Sequence, residues 1–293
     1  MTTAVRAQSP GALHLAIDLG AGSGRAILGG AGPDGLALEE VHRFHYEPET
    51  STGHLRWPFA RILEGIKDGL GRAHVVAAGT PISTVGVDSW GVDYGLLDAG
   101  GSLLEDPVCY RGGRTEGEME RVLRKVPREE IFHRTGIQFL HLNTLYQLHV
   151  HVREGLPAGV RRLLMIPDLC HHALCGATTG EYTDASTTQL LDVRTRTWAD
   201  DLFSRLGLPR ELMPKLVAPR PELGEQKPAL QKDLGLGPVR VLAPASHDTA
   251  SAVAGTPLEP GWAYVSSGTW SLVGIERESP LVNDAVARAN FTN

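Results

Sequence analysis

Alternating apolar and polar positions near the start of the chain predict a β-hairpin followed by a third strand. Residues 13–19 have the pattern of a buried strand, and residues 20–24 are small and form a turn with free backbone N–H groups. Further strands are predicted at 25–30 and 36–41, with a Gly-Pro-Asp-Gly turn at 32–35 between them. Too few residues separate these strands for a helix.

A helical period comes next, and two more apolar strands follow it. Pro58 suits the first turn of a helix, and apolar residues then recur at three- and four-residue steps as far as Ala77. A strand is predicted at 82–87, and the polar segment 88–93 comes directly after it. The last of these strands begins at Val239 and leads into a histidine, a carboxylate and a run of small residues.

The middle of the chain predicts a helical region that ends in a linker. Residues 94–104 resemble a hairpin around an Ala-Gly-Gly turn, and residues 119–126 form a short amphipathic helix with a charged, solvated face. Helices are also expected after residues 163–168 and from Trp198 to Leu206. The polar, Gly- and Pro-rich residues 224–237 are the best candidate for a linker.

The segment after this linker weakly repeats the beginning of the chain. Residues 263–274 again show an apolar strand, a Ser/Gly/Thr turn and an apolar strand, as residues 16–28 do. Two such turns in two lobes can face each other across a cleft, although two unrelated hairpins would give the same pattern. We expect an α/β protein divided into residues 1–237 and 238–293.

Composition and charge argue against several classes of partner and location. The chain has 293 residues, 42% of them hydrophobic, and a formal charge of −6 without a dense basic cluster, so nucleic acid is an unexpected partner. No apolar run reaches the roughly 18 residues of a membrane span, and the first residues lack a signal-peptide core. The odd number of cysteines fits a reducing, cytoplasmic setting.

The glycine-rich turn suggests a phosphate site of an uncommon kind. Arg25 stands where a dinucleotide-binding fingerprint needs a third glycine, a strand follows where that fingerprint needs a helix, and no P-loop motif occurs. The turn amides can still cradle phosphates, with Arg25 adding positive charge and Asp18 holding Mg²⁺ through water. An ordinary glycine-rich turn is the alternative.

Two polar segments could contact a polyhydroxylated substrate. Asp88 and Asp93 flank Trp90 and Gly91, which combines acceptors for hydroxyl groups, an aromatic face and room for close approach. A solvated turn with a packed tryptophan explains this pattern equally well. Asp248 could either cap a helix or accept the proton of an attacking hydroxyl group in phosphoryl transfer. The clustered histidines lack metal-ligand spacing and are expected in the core or at the surface.

Six segments together resemble the rhamnulokinases, a group within the FGGY carbohydrate kinases. They occur in the same order along the chain, and they are residues 16–25, 86–93, 134–148, 181–189, 246–253 and 266–272. The resemblance implies two ribonuclease-H-like, actin-like lobes with ATP and sugar between them. It also implies Mg²⁺-dependent transfer of the γ-phosphate of ATP to the C1 hydroxyl of L-rhamnulose.

The resemblance assigns residues to each ligand. It implies that Asp248 is the proton acceptor and that Gly91 binds the sugar, with Trp90 and Asp93 beside it and a second contact from His247, Asp248 and Thr249. The nucleotide contacts that it implies are Ala21, Gly22, Ser23, Gly24 and Arg25, and Thr269 in the second turn. Asp18, on the strand that leads into the first turn, is expected to take part on the nucleotide side through Mg²⁺.

The resemblance leaves several points as expectations. Only about 55 residues follow the linker, fewer than a nucleotide-binding lobe needs, so we expect an incomplete second lobe, an exposed apolar surface and reduced ATP binding. A kinase for another ketose, such as fuculose or xylulose, a catalytically silent sugar-binding module and an actin-like structural ATPase are the alternatives. A monomer or weak homo-oligomer is expected.

Overall fold

The computed structural model describes residues 11–33, 35–267 and 271–293, and in these it forms sixteen strands and ten α-helices. The strands are β1 Leu13–Gly20, β2 Ser23–Gly32, β3 Gly35–His45, β4 Glu49–Ser51, β5 His54–Arg56, β6 Ile82–Ser89, β7 Tyr94–Leu97, β8 Arg162–Met165, β9 Gly180–Glu181, β10 Leu191–Asp192, β11 Thr197–Trp198, β12 Leu216–Val217, β13 Glu222–Glu225, β14 Arg240–Leu242, β15 Ala263–Ser267 and β16 Ser271–Ile275. The helices are α1 Phe59–Ala77, α2 Glu118–Leu123, α3 Arg128–Thr135, α4 Thr144–Glu154, α5 Ile166–Cys175, α6 Tyr182–Ser186, α7 Asp200–Leu206, α8 Pro228–Leu234, α9 Asp248–Gly255 and α10 Asp284–Ala289.

A six-stranded mixed sheet organises the first part of the molecule. Its order is β13-β14-β6-β1-β2-β3: the first three strands of the chain form an antiparallel meander, and β6 and β14 add to it in parallel. This is the ribonuclease-H-like arrangement that the resemblance implies. The meander, α1 and β6 all lie where the apolar pattern predicts them.

The two faces of β1 have different roles. Leu13, Leu15, Ile17 and Leu19 are buried, because α1 and α5 cover the face to which they point. Alternate residues point the other way, and this second face carries Asp18 and is partly exposed. Small residues on the second face leave room for another element to approach the sheet. The start of α9 lies there.

The sheet crosses the boundary that we expected at 237/238. β14 follows that boundary, yet it pairs in parallel with β6, with Val241 opposite Val85, and Val241 is completely buried. The expected linker 224–237 is also structured, since it contains the last residues of β13 and all of α8. We therefore infer that the first lobe extends at least through Leu242. Short-range composition could not reveal a strand pairing between residues so far apart.

A second apolar core lies among α2, α3, α4 and α7 and the antiparallel pair β7-β8. The predicted helix with a charged, solvated face covers residues 119–126, and Glu118, which directly precedes them and begins α2, does not continue that face. This residue is fully buried; its carboxylate accepts a hydrogen bond from the ring of His149 and pairs with Arg153 and Arg121 at 3.3 and 3.6 Å. Cationic partners on two helices compensate for the burial of the charge.

The last part of the chain forms a hairpin and then returns to the first lobe. β15 and β16 pair antiparallel, as the repeated pattern predicts, and their outer face exposes Val265 and Val273 by 67% and 66%. Beyond the hairpin, Asn293 donates to the carbonyl of Gly136 at 3.0 Å, and Asn290 accepts from Arg128 at 2.9 Å. Within the described ranges, none of the helices is long and apolar enough to cross a bilayer.

Candidate active site

Asp18 and Asp88 lie side by side on the open face of the sheet. They are register partners on the parallel strands β1 and β6, so their side chains point to the same side. Asp18 is also opposite Arg25 on β2, and its carboxylate forms an ion pair with this arginine at 2.7 Å. The first hairpin supplies Arg25 and Asp18, and β6 supplies Asp88, so one cation and two carboxylates lie on three adjacent strands.

The proximity of these acids changes their protonation. Burial, the neighbouring charge of Asp18 and the charge of Asp248 raise the pKa of Asp88 to about 8, while a hydrogen bond from Ser251 and the charge of Arg25 oppose this shift. Burial also raises the pKa of Asp18, although Arg25 counteracts it. A group of carboxylates with raised pKa values favours an added cation.

Asp248 approaches this face from the start of α9. After β14 the chain crosses the end of β6, where the Ser89 N–H donates to the carbonyl of Ser246 at 2.9 Å. Asp248 is then the first residue of α9, and its side chain remains 38% exposed. One carboxylate oxygen accepts from the backbone N–H of Thr249 at 2.5 Å and lies 3.4 Å from Nε2 of His247. The second oxygen is left for other contacts.

The carboxylates alone do not form a complete metal-binding site. Among the residues that the structure describes, no group of three or more His, Cys, Asp or Glu side chains is arranged to hold a metal ion. Asp18 and Asp88 nevertheless supply the oxygen donors that Mg²⁺ prefers, and a cation beside them would oppose the raised pKa of Asp88, which is caused first by burial and then by the charge of Asp18. The donor set thus fits a hydrated cation that keeps most of its water.

Buried Glu181 fixes the backbone in front of Asp248. Its carboxylate accepts from the N–H and hydroxyl of Thr183 at the start of α6, and also from the N–H of Ser246 at 2.9 Å. The Thr183 hydroxyl in turn accepts from the N–H of His247 at 3.2 Å. Sequence reasoning assigned no role to Glu181, because nothing local indicates that it reaches a segment 65 residues away.

Gly91 lies where a side chain would clash. A Cβ atom at this position would be 2.6 to 2.8 Å from three atoms of Thr187, which follows α6. The Thr187 hydroxyl accepts from the N–H of Val92 at 3.0 Å, and the Val92 carbonyl accepts from Thr144 at 2.7 Å. Val92 has a φ of 73°, an unfavourable value for a β-branched residue, so these contacts hold a strained loop in place.

Asp93 is more deeply buried than a sugar contact would require. Its carboxylate accepts from the indole N–H groups of Trp57 and Trp90 at 2.6 and 3.1 Å, from the N–H of Tyr110 at 3.2 Å and from Gln147 at 2.9 Å. Burial raises the pKa of Asp93 to about 6, and these four donors limit the shift. Trp90 is also buried, against Trp57 at 4.5 Å between ring centroids. Their roles as direct sugar contacts stay predictions.

The predicted phosphate turn connects β1 and β2 and lies beside the two carboxylates. Ala21, Gly22 and Ser23 are partly exposed there, whereas Gly24 is buried, and its Cα faces the ring of Phe44 at a distance that leaves no room for a side chain. Arg111, for which the sequence offered no signal, donates to the carbonyl of Ala21 at 2.7 Å. Thr269, the predicted contact in the second turn, lies outside the described residues.

Asp184 is a buried acid whose position sequence reasoning did not anticipate. It is fully buried on α6, and neither of its carboxylate oxygens has a hydrogen-bond partner among the described residues. Burial, followed by the nearby charges of Asp168, Glu181, Asp248 and Asp93, raises its pKa well above the ordinary range. Asp184 therefore connects the Gly91 loop electrostatically with the start of α9.

The sequence of the chain is similar to curated rhamnulokinases. It is 40% identical over 282 residues to a rhamnulokinase of Enterococcus faecalis, covering 96% of this chain and 56% of that protein. It is 42% identical over 286 residues to a rhamnulokinase of Pectobacterium carotovorum, covering 95% and 56%. The chain spans little more than half the length of these relatives.

Solved structures share the fold at lower sequence identity. A carbohydrate kinase from Novosphingobium aromaticivorans superposes with a TM-score of 0.76 at 24% identity, over 94% of this chain and 58% of that one. A xylulose kinase from Rhodospirillum rubrum gives a TM-score of 0.74 at 20% identity, over 86% and 53%. Residues 13–255 match the N-terminal domain of the FGGY family of carbohydrate kinases, and the chain therefore belongs to this family.

Proposed function

We propose that this chain contributes the sugar site and the catalytic base of an ATP-dependent kinase that phosphorylates L-rhamnulose at O1. The observation that carries the proposal is the position of Asp248, half-exposed at the first turn of α9, beside the face that bears Asp18 and Asp88. The names of the relatives at 40–42% identity support rhamnulose as the sugar.

The proposed chemistry uses each group in one role. Asp248 accepts the proton of the O1 hydroxyl as that oxygen forms a bond to the γ-phosphorus of ATP; the bond from this phosphorus to the bridging oxygen breaks, and ADP leaves. Gly91, His247 and Thr249 orient the sugar. The amides of the turn at 21–24, together with Arg25, bind the phosphates. Mg²⁺ would be held through water by Asp18 and Asp88, where it would supply positive charge to the phosphates.

The specific sugar is tested by calorimetry. We expect L-rhamnulose to bind at least tenfold more tightly than L-fuculose or D-xylulose, and Asp248→Asn to leave this affinity within a few-fold. With MgATP present, any release of ADP should depend on L-rhamnulose and disappear in Asp248→Asn. Tighter binding of D-xylulose would favour the other ketose kinases. Sugar binding without any turnover in a chain that also binds MgATP would favour a silent binding module.

Other features of the proposal rest on the sequence and the family together. Membership of this kinase family implies ATP as the phosphate donor and a divalent cation as the cofactor. The predicted cytoplasmic location and the predicted monomer or weak homo-oligomer stay predictions, which fractionation and light scattering would test. Binding to nucleic acid or membranes is not part of the proposal.

A further inference from the structure

The carbonyl groups of the phosphate turn, defined as Gly20–Ser23, are directed at donors from elsewhere in the lobe. The Gly20 carbonyl accepts from the hydroxyl of Tyr46 at 2.6 Å, and the Gly22 carbonyl accepts from the Tyr46 N–H at 3.1 Å. The Ala21 carbonyl between them accepts from Nη2 of Arg111 at 2.7 Å. In a trans peptide the N–H points opposite to the C=O, so each bonded carbonyl also fixes the direction of the next amide. The Gly22 N–H, which belongs to the same peptide group as the Ala21 carbonyl, donates within the turn to the Gly20 carbonyl at 2.8 Å.

Aromatic rings on two sides hold Arg111 in this position. Its guanidinium lies 5.8 Å from the ring centroid of Trp57 and 5.6 Å from that of Tyr110. Both distances are within the range of cation–π attraction. Nε of Arg111 also donates to the Tyr110 hydroxyl at 3.4 Å. Arg111 thus depends on these rings for its orientation.

The same two residues are bonded to the loop that is proposed to hold the sugar, defined as the sugar loop Gly91–Asp93. Trp57 donates its indole N–H to Asp93 at 2.6 Å, and Tyr110 donates its backbone N–H to the same carboxylate oxygen at 3.2 Å. An unbroken series of contacts therefore runs from Asp93 through Trp57 and Tyr110 to Arg111, and from there to Ala21.

We propose that Arg111 is a positioning residue that couples the sugar loop to the phosphate turn. This inference rests on the proposed function, because it takes the loop and the turn as the two substrate sites. A sugar seated on the loop restrains Asp93, which restrains Trp57 and Tyr110, and the resulting order of Arg111 holds the phosphate turn in one conformation. Binding of sugar would in this way prepare the nucleotide side.

The anchor itself is tested by amide hydrogen exchange of the ligand-free chain. Arg111→Met keeps the apolar length and removes the donors, so exchange in residues 20–24 should become about tenfold faster, as expected for loss of one charged hydrogen bond. Arg111→Lys should restore part of the protection, and Arg61→Met, an exposed change on α1, should alter nothing in the turn. Unchanged exchange in Arg111→Met, or an equal rise throughout β1 and β2, would refute the anchor.

Coupling is tested with a second change and with the sugar. Trp57→Phe removes one donor to Asp93; it should speed exchange of the turn in the wild type but add little in the Arg111→Met background. Saturating L-rhamnulose should protect the turn in the wild type and should lose this effect in Arg111→Met, with sugar affinity within about threefold of the wild-type value. An equal effect of Trp57→Phe in both backgrounds, or protection that persists without Arg111, would overturn the coupling. If the wild type binds no L-rhamnulose, the proposed function fails while the two ligand-free comparisons still decide the inference.

Discussion

Asp18 on β1 and Asp88 on β6 face the same side of the sheet as register partners, and Arg25 forms its ion pair with Asp18. Two carboxylates therefore lie next to each other, while the nearest cation, Arg25, is paired with Asp18 alone. Part of the negative charge is neutralised by a proton, since the pKa of Asp88 is raised to about 8 by burial and by Asp18. This charge balance supports the proposal that Asp18 and Asp88 hold a hydrated cation that arrives with ATP.

Replacing Asp88 should change how stability depends on pH. The folded-state pKa of Asp88, about 8, lies above the ordinary value of 3.8, so the folded chain binds the extra proton and loses stability as pH rises from about 4 to 8. Asp88→Asn should remove this loss and be more stable than the wild type by about 2 kcal/mol at pH 8, with little difference at pH 4.

Urea unfolding without Mg²⁺ at both pH values measures this difference. The exposed Asp233 on α8 offers a matched control, because Asp233→Asn makes the same chemical change away from the site. An Asp88→Asn variant whose difference from the wild type is the same at both pH values would contradict the raised pKa.

Asp184→Asn should also stabilise the chain, for a different reason. Both oxygens of Asp184 are buried without hydrogen-bond partners among the described residues, and Asp168 and Glu181 are its principal charged neighbours. An amide has the same shape, carries no charge and can donate to nearby carboxylates, so we expect a gain of about 1–3 kcal/mol at pH 7. Thermal unfolding measures it. Asp184→Ala should not reproduce the gain, and a lower midpoint for Asp184→Asn would show that the charged form has a partner.

Gly91→Ala should lower the free energy of unfolding, and Gly71→Ala should raise it. A Cβ atom at Gly91 would lie 2.6 Å from a methyl group of Thr187, which should cost about 1–3 kcal/mol, whereas a Cβ atom at Gly71 in α1 meets nothing within 4 Å. Alanine at the helical position should add about 0.5–1 kcal/mol of stability. Chemical unfolding compares the two, and Thr187→Ser, which removes the methyl group, should recover part of the loss at Gly91. Equal effects of the two glycine changes would refute the close approach.

Glu181 should affect both stability and sugar binding. Glu181→Ala leaves the N–H groups of Thr183 and Ser246 without their buried acceptor, which should cost about 3 kcal/mol. Glu181→Gln keeps one acceptor and should fall between alanine and the wild type. Because Ser246 directly precedes His247, we expect weaker binding of L-rhamnulose in a calorimeter even where Glu181→Gln remains folded. Unchanged affinity in a folded Glu181→Gln variant would separate this network from the sugar site.

Local pattern was sufficient to predict the hairpin, α1 and β6, because their apolar periods are regular and glycine or proline marks their ends. A tight turn between two strands also determines which residues are opposite each other, and it places Arg25 opposite Asp18. Their predicted roles toward phosphate and Mg²⁺ stay predictions. The cleft between the two predicted lobes, with its second turn, stays a prediction.

The local sequence pattern did not predict contacts between segments that are far apart in the chain. β14 was assigned to the second lobe because a polar stretch precedes it, yet its partner β6 lies about 150 residues earlier. Asp93 was read as a sugar contact because it follows a strand, while its four donors come from residues 57 to 147. Asp88 was grouped with Asp93, and only the strand register pairs it with Asp18.

After the β15-β16 hairpin the chain returns to the first lobe, so the hairpin segment is attached to that lobe at both ends. On one side the hairpin follows α9, whose start is fixed to β6, and on the other side it leads to Asn290 and Asn293, which bond to α3 and the residues after it. A segment held at both ends explores a small volume. Its residues therefore meet the first lobe at an effective concentration in the millimolar range, without needing strong contacts of their own.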